Sequence, residues 1–252
     1  MHKFYQEIVG FNEHNEILPN FFDEFNSKVK LRKMFLNLTT SLVDGVYSFT
    51  KYEINTLTRY SLKEIFEYKI DAMLPVSYVK TYHKPTSFNF DICSTIVINN
   101  YKNKENKNVL FHSKKLLPLA KLIAFCYNNN KLQLIFDLNL LFHQFVFEKV
   151  KRLHKNIRVI DSGDSICIMQ EHQSPVKIYT NWKSINTKNL NIKDELNNAI
   201  ECIKQSEFKQ VYLVYPKASD FKRHIPVKVD ELEDRNYDIK VIPYSLRSTL
   251  RK

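Results

Sequence analysis

Glycine is nearly absent from this chain. Only three occur in 252 residues, Gly10, Gly45 and Gly163, and no two of them are close together. A phosphate-cradling loop needs clustered glycines, because backbone N–H groups must approach the anion. A P-loop and a Rossmann turn are therefore excluded, and any NTPase coupled to this chain has to be another subunit. Cysteine is sparse as well. Cys93, Cys126, Cys167 and Cys202 stand singly, with no C-x-x-C pair. That spacing excludes a zinc ribbon and offers no disulfide framework, so reduced intracellular thiols are expected. The eight histidines show neither H-x-x-x-H nor H-E-x-x-H spacing, which speaks against zinc chemistry. No apolar run approaches the ~18 residues of a membrane span. The opening MHKFYQEIVGFNEHNEI is charged and lacks a signal-peptide core. A cytoplasmic protein with no membrane partner is expected.

What is present is a folded composition with a strong positive bias. Hydrophobic residues make up 44% and aromatics 13%, and the formal charge is +11. An anionic partner follows, nucleic acid before a membrane surface. A lysine- and asparagine-rich proteome would raise the charge without any partner.

The pattern along the chain divides near NNNKL, at residues 128–132. Residues 1–30 read as an irregular arm with a short helix. KLRKMFLNLTTSL and YSLKEIFEYKIDAML read as helices, the second with Leu62, Ile65, Phe66, Ile70, Met73 and Leu74 on one face. VSYVKTYH and FDICSTIVI read as strands. HSKKLLPLAKLIAFCY is a helix that Pro118 would kink unless it lies in the first turn. In IFDLNLLFHQFVFEKVKRLHK, residues Leu138, Leu141, Phe142, Phe145, Val146, Val150 and Leu153 keep a helical spacing, with Asp137 or Asn139 as cap. IRVI, SICIM and VKIY then suggest a meander of strands. DELNNAIECIKQ is a helix, QVYLVYP a buried strand, and IPVKV and YDIKVIPY are expected edge strands.

The order after residue 137 (helix, three strands, helix, strand) matches the core of the PD-(D/E)xK nuclease fold. The segment LIFDLNLLFHQFV (134–146), behind LLPLAKLIAF, narrows the match. It resembles the McrC family, the nuclease partner in McrBC-type modification-dependent restriction systems. That family carries F-D-M-N-x-L-F-E-x-F-V at the start of its nuclease domain. A P-D-(I/V) strand, a D-T-K-(W/Y)-K strand, a D-x-Y-Q helix and an apolar strand ending in Y-P follow. GDSICIM, KIYTNWKSI, KDELNNAI and VYLVYPK stand in that order here, so the resemblance covers about residues 60–217. It implies an α/β fold, with a PD-(D/E)xK restriction-endonuclease-like domain over residues 131–252 and a smaller N-terminal α+β partner-interaction domain over 1–130. It also implies DNA and an AAA+ GTPase or ATPase subunit of McrB type as partners.

The chemistry implied by the resemblance is not carried over. Phosphodiester hydrolysis of this kind needs carboxylates to hold Mg²⁺ and a lysine to orient water. With N-W-K aligned on the family's K-W-K, Tyr179 stands at a metal-binding Asp and Asn181 at the catalytic Lys. Ser165, or Asp164 with a one-residue slip, stands at the upstream Asp. His143 or Gln144 occupies the acidic position of the first helix, and the later glutamine falls near Asn197. Tyr and Asn cannot replace a hard anion and an ammonium. VKIYTNWKSI thus reads as a catalytic strand without its catalytic groups, with no resident metal or other cofactor. Acidic groups could instead have migrated. Of five D/E-x-K tripeptides (starting at Glu67, Glu105, Glu207, Asp220 and Asp238), Asp238-Ile239-Lys240 sits within a strand, and Asp164 and Glu148 are further candidates. Mg²⁺ is expected as cofactor only in that case.

Lys149, Lys151, Arg152, Lys155 and Arg158, with Lys183, form a candidate phosphate-contacting set. Cations at a helix C-terminus also suit the macrodipole with no ligand. Lys102, Lys104, Lys107, Lys114 and Lys115 read as a solvated loop, and the tail SLRSTLRK could touch nucleic acid. Three functions follow. The first is a McrC-like, catalytically degenerate subunit of a restriction or phage-defence complex that binds DNA, a partner AAA+ NTPase, or both. The second is an active Mg²⁺-dependent DNA endonuclease with migrated ligands. The third is a stand-alone nucleic-acid-binding or inhibitory protein on the same scaffold.

Overall fold

Capping signals decide where the first helices begin. The computed structural model describes residues 7–20, 25–40, 42, 49–74, 90–105, 116–128, 130–169, 174–232 and 236–246. Within them, β1 (Ile8–Phe11) and β2 (Glu16–Ile17) form a hairpin. The Asn12 side chain closes its turn by accepting the N–H groups of His14 and Asn15 at 3.0 and 2.7 Å. After α1 (Lys28–Thr40), both α2 (Lys51–Leu57) and α3 (Leu62–Ala72) start on capping boxes, Thr50 with Glu53 and Ser61 with Glu64. A bidentate Arg32–Glu16 pair, 2.7 Å at each bond, ties β2 to α1, and Glu16 also accepts the N–H of Leu62 at the start of α3.

Two early expectations are corrected. FDICSTIVI lies in α4 (Phe90–Asn103), not a strand. Its β-branched residues suggested sheet, but Ser94, Val97, Ile98 and Tyr101 recur at helical spacing and form the packed side. The stretch read as an irregular arm contains β1 and β2. The segment VSYVKTYH lies outside the described residues, as do Lys107, Lys114, Lys115 and the tail from Arg247.

In α5 (Pro118–Cys126) the proline occupies the first turn, where its missing N–H costs nothing and no kink results. β3 (Tyr127–Asn128) and β4 (Lys131–Leu132) form a short hairpin. β5 (Leu134–Asp137) then pairs antiparallel with β1. Gly10 makes that pairing possible. Its φ is +140°, and a Cβ there would lie 1.8 Å from the Leu134 carbonyl oxygen. Asp137 ends β5 and caps α6 (Leu138–Leu153), accepting the N–H groups of Asn139 and Leu140 at 2.9 and 3.1 Å.

The rest of the chain builds one mixed sheet. β6 (Arg158–Asp161), β7 (Ile166–Met169) and β8 (Val176–Thr180) form the expected meander. After α7 (Lys193–Gln205) come β9 (Gln210–Pro216), β10 (Ile225–Val227) and β11 (Asp238–Tyr244). The strand order is β10-β11-β9-β8-β7-β6, with β8, β9 and β11 mutually parallel. β11 was expected at an edge. It lies inside the sheet, between β9 and β10, and its buried Ile239 and Val241 fit that place.

Strand alternation sends successive side chains to opposite faces, and each face has its own core. Ile166, Ile168, Val176, Ile178 and Val214 pack with α6 and the N-terminal helices. Val211, Leu213, Tyr215, Ile239 and Val241 pack with Ala199, Ile200 and Ile203 of α7. No helix of the described residues is long and apolar enough to cross a membrane.

Candidate functional site

The sheet alternation gathers three positions singled out by the sequence. Ile178 faces the α6 side, so its neighbour Tyr179 faces α7, and Asn181 continues that side. Ile166 pairs with Ile178 in the β7–β8 ladder, which puts Ser165 opposite Tyr179 on the same face. Asn181 prolongs the parallel pairing of β8 with β9, its N–H donating to the Val214 carbonyl at 3.0 Å. Ser165, Tyr179 and Asn181 therefore stand together near the end of β8 that leads to α7.

Their chemistry is neutral. Ser165 is fully buried, and its hydroxyl donates to Asp164 Oδ1 at 2.8 Å. Burial first, and then the neighbouring Cys202 thiol, push the Tyr179 hydroxyl above its ordinary range, so it stays protonated. The Asn181 amide donates to Glu195 Oε1 at 3.0 Å. Lys183 donates to the same oxygen at 3.2 Å. Magnesium requires hard anionic oxygens in near-octahedral array. A phenol, a hydroxyl and an amide, beside a Glu195 oxygen already bonded to two donors and an Asp164 oxygen bonded to Ser165, do not fit it. Among the described residues no three His, Cys, Asp or Glu side chains come together as a metal-holding group.

The migrated-ligand candidates are scattered. Asp238 and Lys240 pair with each other, and the lysine lies 5.5 Å from the Tyr212 ring centre. Alternation with the buried Ile239 and Val241 puts them on the α6 face, away from Tyr179 and Asn181. Glu148 faces its own helix, accepting from Gln144 Nε2 at 3.4 Å. Asp164 is exposed in the β6–β7 turn.

His143 sits on the opposite face from Asn181 and is 7% exposed. Its Nδ1 lies 2.9 Å from Thr180 Oγ1 and its Nε2 3.1 Å from Asp161 Oδ1. A carboxylate only accepts, so Nε2 carries the proton, and in the neutral ring Nδ1 accepts from the threonine hydroxyl. Burial pushes the Asp161 carboxyl up, but the Gly163 N–H and His143 outweigh it and hold the group below the usual carboxylate range. A hydroxyl, an imidazole and a carboxylate in series suggest a nucleophile relay. The two backbone amides that follow Thr180 supply no oxyanion donor. The amides of Asn181 and Trp182, next along the chain, are bonded to Val214 O and to Asn139 Oδ1. The trio braces α6 against β6 and β8.

Trp182 points to the α6 side, 8% exposed, with Phe142 and Phe25 at ring-centre distances of 5.7 and 6.4 Å. Sequence reasoning missed Glu195, Asn139, Asp161 and Thr180, all of which reach their partners from other elements. An acidic residue in the first turn of α7 was the one available signal for Glu195.

The cationic set divides. Lys183 is paired with Glu195. Lys149 folds over the Phe145 ring at 4.3 Å and donates to the Ser245 carbonyl at 3.3 Å. Burial, helped by Arg152, lowers its pKa to about 8. Lys151 lies 5.6 Å from the Phe147 ring centre with its side chain exposed. Arg152, Lys155 and Arg158 are exposed around the end of α6 and the start of the edge strand β6.

No protein-family model matches the sequence, and no curated protein matches it. A solved structure does share the fold. It is the refined half-complex from the tetradecameric assembly of Thermococcus gammatolerans McrB AAA+ hexamers with bound McrC. The alignment has a TM-score of 0.62 and 11% identity, covering 95% of this chain and 78% of that one. The chain is thus similar in fold to a component of a McrB–McrC assembly, over nearly its whole length.

Proposed function

We propose that this chain is a McrC-like subunit of a restriction or phage-defence complex that has lost DNA cleavage and works by binding. The observation that carries the reading is the neutral trio Ser165, Tyr179 and Asn181, on one side of the sheet where β7 begins and β8 ends, at positions where the resemblance calls for two acids and a lysine. The partner follows from the structural likeness, since McrC in that structure is bound to McrB AAA+ hexamers. The DNA contact follows from Arg152, Lys155 and Arg158, three exposed cations near one edge of the sheet.

The testing experiment pairs a plasmid-nicking assay in Mg²⁺ and Mn²⁺ with co-purification against a co-expressed AAA+ NTPase of McrB type. Absence of nicking with a stable complex is the expected outcome, and metal-dependent nicking by the wild type refutes the loss of cleavage. For the DNA contact, Arg152→Ala, Lys155→Ala and Arg158→Ala together should reduce the slope of log affinity against log salt by about 2–3. Lys149→Met should leave that slope nearly unchanged. Equal slopes for the triple variant and the wild type place the DNA surface elsewhere.

A further inference from the structure

We propose that the Lys183 ammonium takes the place of a divalent ion beside Glu195, holding that carboxylate together with Asn181. The inference rests on the degenerate-nuclease reading and explains how the fold persists with no metal in that position.

A carboxylate drawn out of water needs a compensating positive group. The Glu195 side chain is 16% exposed and that of Lys183 29%. Positions 181 and 183 are two apart in an extended segment, so both side chains leave the same side. They converge on one oxygen, Glu195 Oε1, at 3.0 and 3.2 Å. The segment cannot slide away. The Asn181 N–H is bonded to Val214 O, the Trp182 N–H to Asn139 Oδ1, and the Trp182 ring is buried on the other face. The carboxylate is equally fixed, in the first turn of α7 beside Asp194, where the helix dipole favours negative charge. In the resembling strand motif D-T-K-(W/Y)-K, position 183 is the second lysine and position 181 the first. The retained lysine supplies the charge, and the asparagine adds a neutral donor to the same oxygen.

A carboxylate added at position 181 should therefore meet Lys183 and gain no metal while that lysine remains. Thermal midpoints are read in EDTA and in millimolar MnCl₂ for the wild type, Asn181→Asp and Asn181→Asp/Lys183→Met. The wild type and the single variant should not respond to Mn²⁺. The double variant, with a second carboxylate facing Glu195 and its paired lysine removed, should melt lower in EDTA. In Mn²⁺ at about ten times its dissociation constant it should recover roughly 3–6 °C. A metal response of Asn181→Asp with Lys183 in place overturns the proposal, as does a folded double variant indifferent to Mn²⁺. If the double variant fails to fold, Glu195→Gln, Lys183→Met and their combination decide. Losses smaller in combination than in sum are expected, and additive losses overturn the pairing. A metal response of the wild type sinks the degenerate-nuclease reading itself, and so is distinct from failure in the variants alone.

Discussion

Truncating His143 to alanine should destabilise the protein by about 3–4 kcal/mol. The ring is 7% exposed, and its loss costs about 1–2 kcal/mol for buried volume at a site that relaxes only in part. The Thr180 bond adds about 1 kcal/mol. The bond to Asp161 would be worth more as a charged pair, but a third of the aspartate side chain (33%) is exposed. Solvent screening brings that contribution down to about 1 kcal/mol. In a chain of this size the sum corresponds to a fall in Tm of roughly 6–15 °C. Trp182, the one tryptophan, packs against Phe142 one residue before His143 in α6, so its fluorescence in urea reports the event directly. His143→Phe separates the terms, keeping the volume while losing both bonds, and should cost about 2 kcal/mol. A loss under about 1 kcal/mol for His143→Ala, or wild-type stability for His143→Phe, would refute the bracing role of the trio.

Two further outcomes follow from the same packing. Asp161 is held below its ordinary value of 3.8 in the folded chain, so its contribution is complete above that pH and lost as pH falls through the folded value. Wild type and Asp161→Asn should accordingly differ in Tm at pH 7 and converge as the pH falls below the ordinary carboxylate range, whereas a pH-independent gap would contradict the assignment. Gly10→Ala should cost more than about 1 kcal/mol, because a Cβ 1.8 Å from the Leu134 oxygen must push β1 off β5. Urea unfolding of that variant checks it, and an unchanged midpoint would mean that the two strands are not held in this register.

The sequence was most informative where local chemistry decides structure. The spacing of Leu138 to Val150, the Asp137 cap and the first-turn position of Pro118 are all set within a few residues. It misled where tertiary packing overrides propensity. α4 carries strand-like Ile96, Val97 and Ile98 yet is helical, because its buried residues repeat at three and four. β1 is four residues long with a glycine inside, too short to show a period, and its partner β5 lies more than a hundred residues on. At the site, alternation along β8 could be read, so the shared face of Tyr179 and Asn181 was within reach. Asp161 and Thr180 were not, since both meet His143 of α6 from separate strands, and Glu195 was marked only by its place in the first turn of α7.

The interior place of β11 also governs the order in which this chain can finish folding. Of the six sheet strands β11 leaves the ribosome last, yet it belongs between two that precede it. Until it arrives, the seven-residue edge of β9 stays open and β10 has no neighbour. An incomplete chain therefore presents the parallel edge on which another strand could add, and synthesis arrested shortly before residue 238 yields the form most exposed to mispairing or to chaperone capture. Closure of the sheet waits for β11, whose Ile239 and Val241 complete the core beneath Ala199, Ile200 and Ile203 of α7.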